Sequence, residues 1–360
     1  MGGERQIGLD AVRGIAILVV LLFHFNQPVG VGAVDALLTP FRTTGWIGVE
    51  LFFVLSGFLV GGIILAENAA PAGFDWRRFL LRRAFRLWPI LYLYVAAMAL
   101  GGIGWSGVWP VLLHIQNYSD HSRNHLWSLA VEEHFYLLAA IALPWLARAA
   151  SPRQIFGALA GLIIAVSVLR FGAAACNIPW MHLHRQSQFR LDALTAGVLL
   201  AAVKRYRPDL FASLQRWRIL LILAAISGAS IMACNFDALQ YGSIDLTLAW
   251  VTAVPLVIAA SDFEVGGALT RPMRLMAALG RIAYPLYIWH IFVGNIASIT
   301  LQRFGMVNPL VIAIGEFGSA IGLAILLHRT VELPCMALRE RIGPLSRAQP
   351  KSARPLEKWA

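Results

Sequence analysis

Residues 11–30 read AVRGIAILVVLLFHFNQPVG, and residues 46–66 read WIGVELFFVLSGFLVGGIILA. Both stretches are almost continuously apolar over about the 20 residues that an α-helix needs to cross a bilayer. The chain of 360 residues contains about ten segments of this kind. Their approximate bounds are 11–30, 46–66, 87–104, 126–147, 155–174, 190–204, 218–236, 244–261, 281–300 and 309–328. The pattern predicts an all-α fold, a polytopic integral membrane bundle of about ten transmembrane helices.

The composition excludes an ordinary soluble protein. Hydrophobic residues make up 58% of the chain and charged residues only 14%, whereas about a quarter of a soluble domain is charged. The net charge is +11, but the basic residues lie in short clusters between the apolar segments. Such clusters are typical of the cytoplasmic loops of membrane proteins. We therefore expect membrane lipid, and not nucleic acid, as the partner of this charge.

The basic clusters also predict the topology. They comprise Arg77, Arg78, Arg82, Arg83, Arg86, Lys204, Arg205, Arg207, Arg216, Arg218, Arg271, Arg274, Arg281, Arg329, Arg339, Arg341, Arg347 and Lys351. If all are cytoplasmic, an even number of spans separates Arg86 from Lys204, where four long apolar segments and one short segment, 105–118, occur. Parity therefore predicts a re-entrant or interfacial piece at 105–118 and both termini in the cytoplasm. We assign residues 1–333 to a transmembrane domain and 334–360 to a basic cytoplasmic tail.

Two ionisable residues, Arg13 and His24, lie on the first apolar segment. They are eleven residues apart, which is about three helical turns, so both project from nearly the same face. The rise between them is roughly 16 Å, which places Arg13 near the cytoplasmic surface and His24 in the outer half of the bilayer. A neutral imidazole at that depth suits a general base or a proton shuttle. The alternative is a hydrogen-bonded packing histidine beside an arginine that reaches the lipid headgroups.

A polar stripe runs along the fourth apolar segment. Ser128, Glu132 and Tyr136 follow i, i+4, i+8 spacing and share one helix face. Charged groups inside a membrane are costly and by default mark functional sites. We therefore expect Glu132 to face the bundle interior and to orient His24 or stabilise its cation. Ser56, in a Ser-Gly pair of the second segment, is better explained by helix packing than by chemistry.

Further candidates lie on the third, sixth and ninth segments. Arg83 and Arg86, at i,i+3, share a helix face at the cytoplasmic entry to the third segment. Paired guanidinium groups suit phosphates, such as those of acyl-CoA, although an anchor to lipid headgroups is the alternative. Arg190, and Tyr287 with His290, are explained equally well by a structural hydrogen-bond network. The three cysteines show no metal-ligand spacing, so we expect no bound metal.

Six short motifs resemble the bacterial acyltransferase-3 family, which includes membrane O-acetylases of surface polysaccharides and of lipo-oligosaccharide signals. The motifs are Leu9 to Gly14 with His24, Phe52 to Leu59, Arg83 to Arg86, Trp127 to Tyr136, Ala283 to His290, and Glu332 to Pro334. One such motif would mean little, but six in the same order, over nearly the whole chain, are specific. The departures are small, since His134 stands where a glutamine is common and Leu87-Trp88 replaces a more usual Ile-Tyr.

The resemblance implies transfer of an acyl group, most often acetyl, from cytoplasmic acyl-CoA to a hydroxyl of a glycan or glycolipid. Such acceptors include exopolysaccharide, O-antigen and lipo-oligosaccharide. It implies that His24 is essential, that Arg13 supports it, and that Arg83 and Arg86 handle the donor. It places the protein in the bacterial inner membrane, with acyl-CoA as donor substrate and no permanently bound cofactor. Some relatives add an extracellular esterase-like domain, and this chain is expected to act alone or with a separate partner.

Two questions stay open at the level of sequence. His24 serves either as the base that activates the acceptor or as a covalent carrier of the acyl group. A proton-coupled transporter or exporter is the rival class, and its relay would use Arg13, His24, Glu132, Arg170 and Glu316. The chain shows no internal repeat of the kind found in many transporters. Together with the arginine pair on the acyl-CoA side, this favours the enzyme.

Overall fold

A computed structural model of the chain describes residues 6–119, 124–235, 243–263, 267 and 270–341. Within these ranges all regular secondary structure is helical. The first helices are α1 (Ile7–His24), α2 (Gly32–Thr44), α3 (Ile47–Asn68), α4 (Trp76–Leu100), α5 (Trp105–Leu112), α6 (Trp127–Ala149), α7 (Pro152–Ala175) and α8 (Trp180–Arg185). The others are α9 (Leu191–Tyr206), α10 (Pro208–Arg216), α11 (Arg218–Cys234), α12 (Ile244–Ala260), α13 (Thr270–Arg281), α14 (Ala283–Arg303), α15 (Pro309–Leu327) and α16 (Leu333–Arg341).

Six helical segments of the described residues are long and apolar enough to cross a membrane, namely α1, α3, α4, α6, α7 and the stretch Pro309–Arg339. Two further pairs, α10 with α11 and α13 with α14, pass the same test together, although they bend by 74° and 71°, which gives up to eight spans. Each of the ten predicted segments thus forms a helix. However, α9 and α12, with 16 and 17 residues, are shorter than the ~20 residues of an ordinary span.

The segment 105–118 forms an eight-residue helix, α5, followed by a 3-10 turn at Gln116–Tyr118. The helix is only about 12 Å long, and Trp105 at its start is 69% exposed. At the other end Asn117 is buried, and its side-chain amide donates to the Ser187 hydroxyl at 2.9 Å. The segment is therefore too short to cross a bilayer, in agreement with the prediction of an interfacial or re-entrant piece.

The bundle exposes apolar side chains and buries charged ones. Ile141, Trp145 and Ile219 are 72%, 70% and 75% exposed, whereas Arg170 and Arg190 are 0% exposed. A continuous apolar exterior of this kind is unfavourable in water and favourable in lipid. The described helices therefore form a multi-pass membrane protein.

Two buried ion pairs connect α3, α7 and the start of α9. Arg170 Nη1 lies 2.7 Å from Asp192 Oδ2 and also donates to the Phe189 carbonyl oxygen at 2.6 Å. Arg190 pairs with Glu50 of α3. Because an unpaired charge in apolar surroundings costs several kcal/mol, the pairs hold the three helices in one arrangement. Arg190, predicted as a substrate-binding or supporting residue, therefore has a structural partner.

Glycines bring the backbones of two helix pairs into direct contact. Between α3 and α9, a Cβ atom at Gly57 would lie 1.9 Å from the Leu194 carbonyl oxygen, and one at Gly197 would lie 2.1 Å from the α3 backbone. Between α1 and α13, a Cβ atom at Gly280 would lie 1.9 Å from the Asp10 carbonyl oxygen. Only glycine permits such close approach. The two crossings fix α1 and α3, the helices that carry Arg13, His24 and Ser56.

Replacing Gly197 by alanine should lower the free energy of unfolding by about 1–3 kcal/mol, because the added methyl group overpacks the crossing. At an ordinary helical position the same change stabilises the helix by up to about 1 kcal/mol. Thermal unfolding of the purified protein in detergent measures the effect. Gly161→Ala in α7 is the matched control, since its Cβ atom meets nothing within 4 Å. Equal midpoints for the two variants would contradict the close crossing.

Replacing Arg190 by methionine should cost about 3–5 kcal/mol of unfolding free energy, because it strands a buried carboxylate. That carboxylate belongs to Glu50, which is 0% exposed. The double variant Glu50→Gln/Arg190→Met removes both charges and should recover most of the loss in the same unfolding assay. A double variant no more stable than the single one would show that the two residues do not form an ion pair.

Candidate active site

Two cavities share Val49 and Tyr287 in their walls. The larger, here the histidine cavity, has a volume of about 960 Å³. Its ionisable lining residues are His24, Arg42, His125, His184, Arg185 and Tyr287. The smaller, here the arginine cleft, has a volume of about 100 Å³. Its ionisable lining residues are Arg13, Arg83, Arg86, Glu132, Tyr136, Arg281, Tyr284 and Tyr287.

His24 is the last residue of α1 and lines the histidine cavity. Its Nδ1 atom lies 3.0 Å from the Val20 carbonyl oxygen, one turn earlier. Because a carbonyl oxygen only accepts hydrogen bonds, the imidazole proton belongs on Nδ1. The Nε2 atom then keeps its lone pair. The helix backbone itself thus selects the tautomer that a general base requires.

Two further histidines surround His24. Its ring centroid lies 4.9 Å from that of His290, and the centroids of His290 and His125 are 5.6 Å apart. His290 Nδ1 donates to the Tyr287 carbonyl oxygen at 2.8 Å, and its Nε2 is buried without a hydrogen-bond partner. His125 Nε2 lies 3.1 Å from the Ile288 carbonyl oxygen. Within the described residues no group of three or more histidines, cysteines or carboxylates is arranged to hold a metal ion.

The arginine cleft brings together three of the predicted arginines. Arg13 of α1 meets Arg83 and Arg86 of α4 in its lining. Arg13 Nη1 donates to Asp10 at 2.7 Å, and Arg86 Nε lies 3.9 Å from Glu332 Oε1. The two carboxylates orient the guanidinium groups of Arg13 and Arg86. Because two carboxylates face three arginines, an excess of positive charge stays in the cleft. Such a cluster suits a phosphate or pyrophosphate group.

Glu132 of α6 points into the bundle, as its position in the polar stripe predicts. Ser56 Oγ donates to its Oε1 at 2.9 Å, and Tyr136 Oη donates to its Oε2 at 3.1 Å. Arg83 lies over the Tyr136 ring at 5.0 Å from the centroid. These contacts place Glu132 in the arginine cleft, and the structure gives it no hydrogen bond to His24. The expected orientation of His24 by this carboxylate is therefore not formed, because α3 and not α1 faces the stripe.

Tyr287 of α14 stands in the wall that the two cavities share. Its hydroxyl donates to the His125 carbonyl oxygen at 2.5 Å and accepts from Ser128 Oγ at 2.7 Å. His125 lines the histidine cavity, and Ser128 lines the arginine cleft. One tyrosine hydroxyl therefore connects residues of both cavities.

Most of the predicted site residues thus gather at the two cavities. There are two exceptions: Arg190 lies in the ion pair with Glu50, and His290 packs behind His24 without lining either cavity. The sequence did not single out His125, Arg42 or Arg281 for the site. His125 stands two residues before the motif that begins at Trp127, and this proximity was the available signal. Arg42 lies on a short helix without a distinctive pattern, and Arg281 belongs to a basic cluster that indicates only the topology.

Sequence comparison finds relatives with a common activity in their names. The chain is 23% identical over 321 residues to O-acetyltransferase OatA of Staphylococcus aureus (strain NCTC 8325 / PS 47), an alignment that covers 79% of this chain and 49% of the relative. It is 25% identical over 368 residues to a putative O-acetyltransferase of Staphylococcus aureus (strain COL), with 91% of this chain and 56% of the relative covered. The chain spans about half the length of these curated relatives.

No solved structure matches the chain. A family model described as an acyltransferase domain, that of acyltransferase family 3, matches residues 6–329. The match runs from the start of α1 into a π-helical turn, His328–Glu332, that follows α15. It therefore includes all residues that line the histidine cavity and the arginine cleft. The chain therefore belongs to the acyltransferase-3 family.

Proposed function

We propose that the chain is a membrane O-acyltransferase that moves an acyl group, acetyl above all, from acyl-CoA to a hydroxyl of a carbohydrate-type acceptor. The observation that carries the proposal is the wall at Tyr287, with four arginines in one cavity and three histidines, His24 among them, in the other, which also contains Arg42 and Arg185. This division suits a polyanionic donor on one side and a hydroxyl to be deprotonated on the other. The family, and the O-acetyltransferase names of the matched relatives, support the same reaction class.

The donor binds at the arginine cleft in this proposal. Arg83 and Arg86 contact its phosphates, and Arg13, held by Asp10, adds a third cation. The cleft, at about 100 Å³, is smaller than the ~300–1,000 Å³ of sites that enclose a whole ligand. Only the narrow acyl-pantetheine end therefore enters. The phosphates lie at the mouth, between Arg83, Arg86 and the exposed Arg281, and the nucleotide stays outside the cleft.

His24 acts as the general base on the acceptor. Its Nε2 takes the hydroxyl proton while the hydroxyl oxygen attacks the thioester carbonyl carbon. A carbon–oxygen bond forms, the carbon–sulfur bond breaks, and His24 returns the proton to the sulfur of the departing coenzyme. His290, packed at 4.9 Å from His24, positions the imidazole. Glu132 serves the donor side, since its hydrogen bonds lie in the arginine cleft.

The two cavities also suit the two sides of a bacterial inner membrane. Arg83 and Arg86 belong to the basic cluster at the start of α4, which the positive-inside rule assigns to the cytoplasm, where acyl-CoA occurs. His24 lies roughly 16 Å further along α1 than Arg13, toward the outer surface. We therefore propose that a glycan or glycolipid acceptor enters the histidine cavity from the outer side, and that no permanently bound cofactor is needed.

The competing class is a proton-coupled transporter, whose relay would include Arg170. The Arg170 guanidinium is held by Asp192 at 2.7 Å and by the Phe189 carbonyl oxygen at 2.6 Å, with 0% exposure. A guanidinium group held by two partners in this way suits a structural role. It does not suit a proton relay, in which the group would have to exchange partners. This observation favours the enzyme over the transporter.

Replacing His24 by alanine should lower acyl transfer by about 10²–10⁴-fold, the usual contribution of a general base. The measurement is acetyl-CoA thioester cleavage by the purified protein in lipid nanodiscs with a glycan extract as acceptor. His182→Ala is the matched control, because His182 is exposed and does not line the cavity. A fully active His24→Ala variant would overturn the assignment of the base. A wild-type protein that never cleaves the thioester would favour the transporter.

Replacing Arg83 by glutamine should weaken acetyl-CoA binding about tenfold, the equivalent of ~1.4 kcal/mol, because a charge-assisted contact to phosphate is lost. Binding of S-acetylpantetheine, which lacks phosphates, should stay unchanged. Arg77→Gln is the control, since Arg77 is exposed on the same helix and does not line the cleft. Equal loss for both ligands would indicate that Arg83 supports the fold and does not read the phosphates.

A further inference from the structure

We propose that the histidine cavity binds an acidic sugar, that is, a sugar ring that carries a carboxylate or a phosphate. The inference rests on the proposed function, because it names the class of acceptor for the same site. Three observations support it. One arginine keeps an unused hydrogen-bonding nitrogen, the described lining contains no carboxylate, and three tryptophans line the wall.

Arg42 of α2 lines the cavity, and its side chain is only 10% exposed. Its Nη1 donates to Asp35 Oδ1 at 2.8 Å, and Asp35 in turn accepts from the backbone N–H groups of Val29 and Gly30 at 2.8 and 3.0 Å. Arg42 Nε is buried and has no hydrogen-bond partner. Nε and Nη2 form the edge of a guanidinium that binds a carboxylate or phosphate through two parallel bonds. Asp35 thus orients this edge without using its Nε.

The charges around the cavity favour an anion. Arg42 and Arg185 line it, none of its described lining residues is an aspartate or a glutamate, and Asp35, the ion-pair partner of Arg42, lies outside the lining. A partly enclosed cavity lined by charge of one sign concentrates ions of the opposite sign. A neutral acceptor would leave Arg42 Nε without a strong acceptor, and a buried donor without a partner is costly. An oxyanion on the ligand matches the positive charge of the lining and also accepts a hydrogen bond from Arg42 Nε.

The walls of the same cavity suit sugar rings. Trp46, Trp127 and Trp180 line it. His184 stacks on Trp180, with ring centroids 4.5 Å apart and an angle of 17° between the planes, and this contact fixes the orientation of the Trp180 ring. Flat aromatic surfaces pack against the C–H faces of sugar rings. The volume of about 960 Å³ lies at the upper end of the ~300–1,000 Å³ of ligand sites, so it accommodates more than one ring.

The anionic group has two sources in membrane glycans. It belongs to the sugar itself, as in a uronic acid, or it is the phosphate through which a sugar is joined to a lipid. Arg42 recognises both, because carboxylate and phosphate each present two oxygen atoms to a guanidinium edge. The test therefore needs one arm for each source.

Calorimetric titration of the purified full-length chain in lipid nanodiscs tests the proposal. The probes are trigalacturonic acid with its methyl ester, and glucose 1-phosphate with glucose, so that each pair differs in charge. We expect the charged member of at least one pair to bind at least about tenfold more tightly. Tighter binding of trigalacturonic acid than of its methyl ester identifies a sugar acid. Tighter binding of glucose 1-phosphate than of glucose identifies a phosphate-linked sugar. Absence of selectivity in both pairs overturns the inference.

Arg42→Gln should abolish the selectivity and leave the binding of the neutral probe unchanged. Because this change leaves Asp35 unpaired, the variant Asp35→Asn/Arg42→Gln, which removes both charges, is measured beside it with the same expectation. Arg303→Gln, at an exposed arginine outside the cavity lining, is the control and should retain the selectivity. Selectivity that survives in both Arg42 variants overturns the assignment of Arg42.

The binding readout separates this inference from the proposed function. A protein that cleaves acetyl-CoA but binds charged and neutral sugars equally would keep its function and lose the acidic acceptor. A protein that binds acidic sugars selectively but never cleaves the thioester would keep the cavity's selectivity and lose the transferase assignment.

Discussion

Charged side chains inside a membrane need partners, because hydrocarbon cannot solvate them and an unpaired charge there costs several kcal/mol. Arg170 and Arg190 have theirs in Asp192 and Glu50, and all four side chains are at most 1% exposed. These pairs tie α3, α7 and α9 together. Arg13 also has a partner, Asp10, but it keeps 24% of its side chain exposed and lines the arginine cleft. The same requirement therefore separates the arginines that build the bundle from those that are available to a ligand.

Two residues of the arginine cleft, Arg13 and Ser56, lie next to points where helix backbones touch. Ser56 precedes Gly57, whose position at the α3–α9 crossing leaves no room for a side chain, and Arg13 precedes Gly14, which meets the Met276 carbonyl oxygen of α13 in the same way. A residue adjacent to such a contact has little freedom of backbone position. The helix crossings thus hold the cleft's hydrogen bonds and charges at fixed positions before any ligand binds.

Apolar length predicted the helices, and buried charge with helical spacing predicted most of the ionisable residues of the arginine cleft, because these signals are visible along a single chain. Spacing showed that Glu132 faces inward, but not that Ser56 would meet it in place of His24, since spacing does not tell which helix packs opposite. Helical spacing did not mark His125 as a site residue, because His125 lies in the 3-10 turn Asn124–Leu126, outside the regular helices. The count of about ten spans is not confirmed, since six to eight helical segments of the described residues have the length and composition of a span and the others are short or sharply bent.

The position of Tyr287 has a consequence for the energy balance of the cell. A passage that joined the two cavities through water would let protons run down their gradient and would discharge the membrane. The Tyr287 hydroxyl is instead occupied by the His125 carbonyl oxygen and Ser128 Oγ, partners that belong to the protein and not to a column of water. If the two cavities open to opposite sides of the membrane, as proposed, the wall at Tyr287 also limits the leakage of protons across the bilayer.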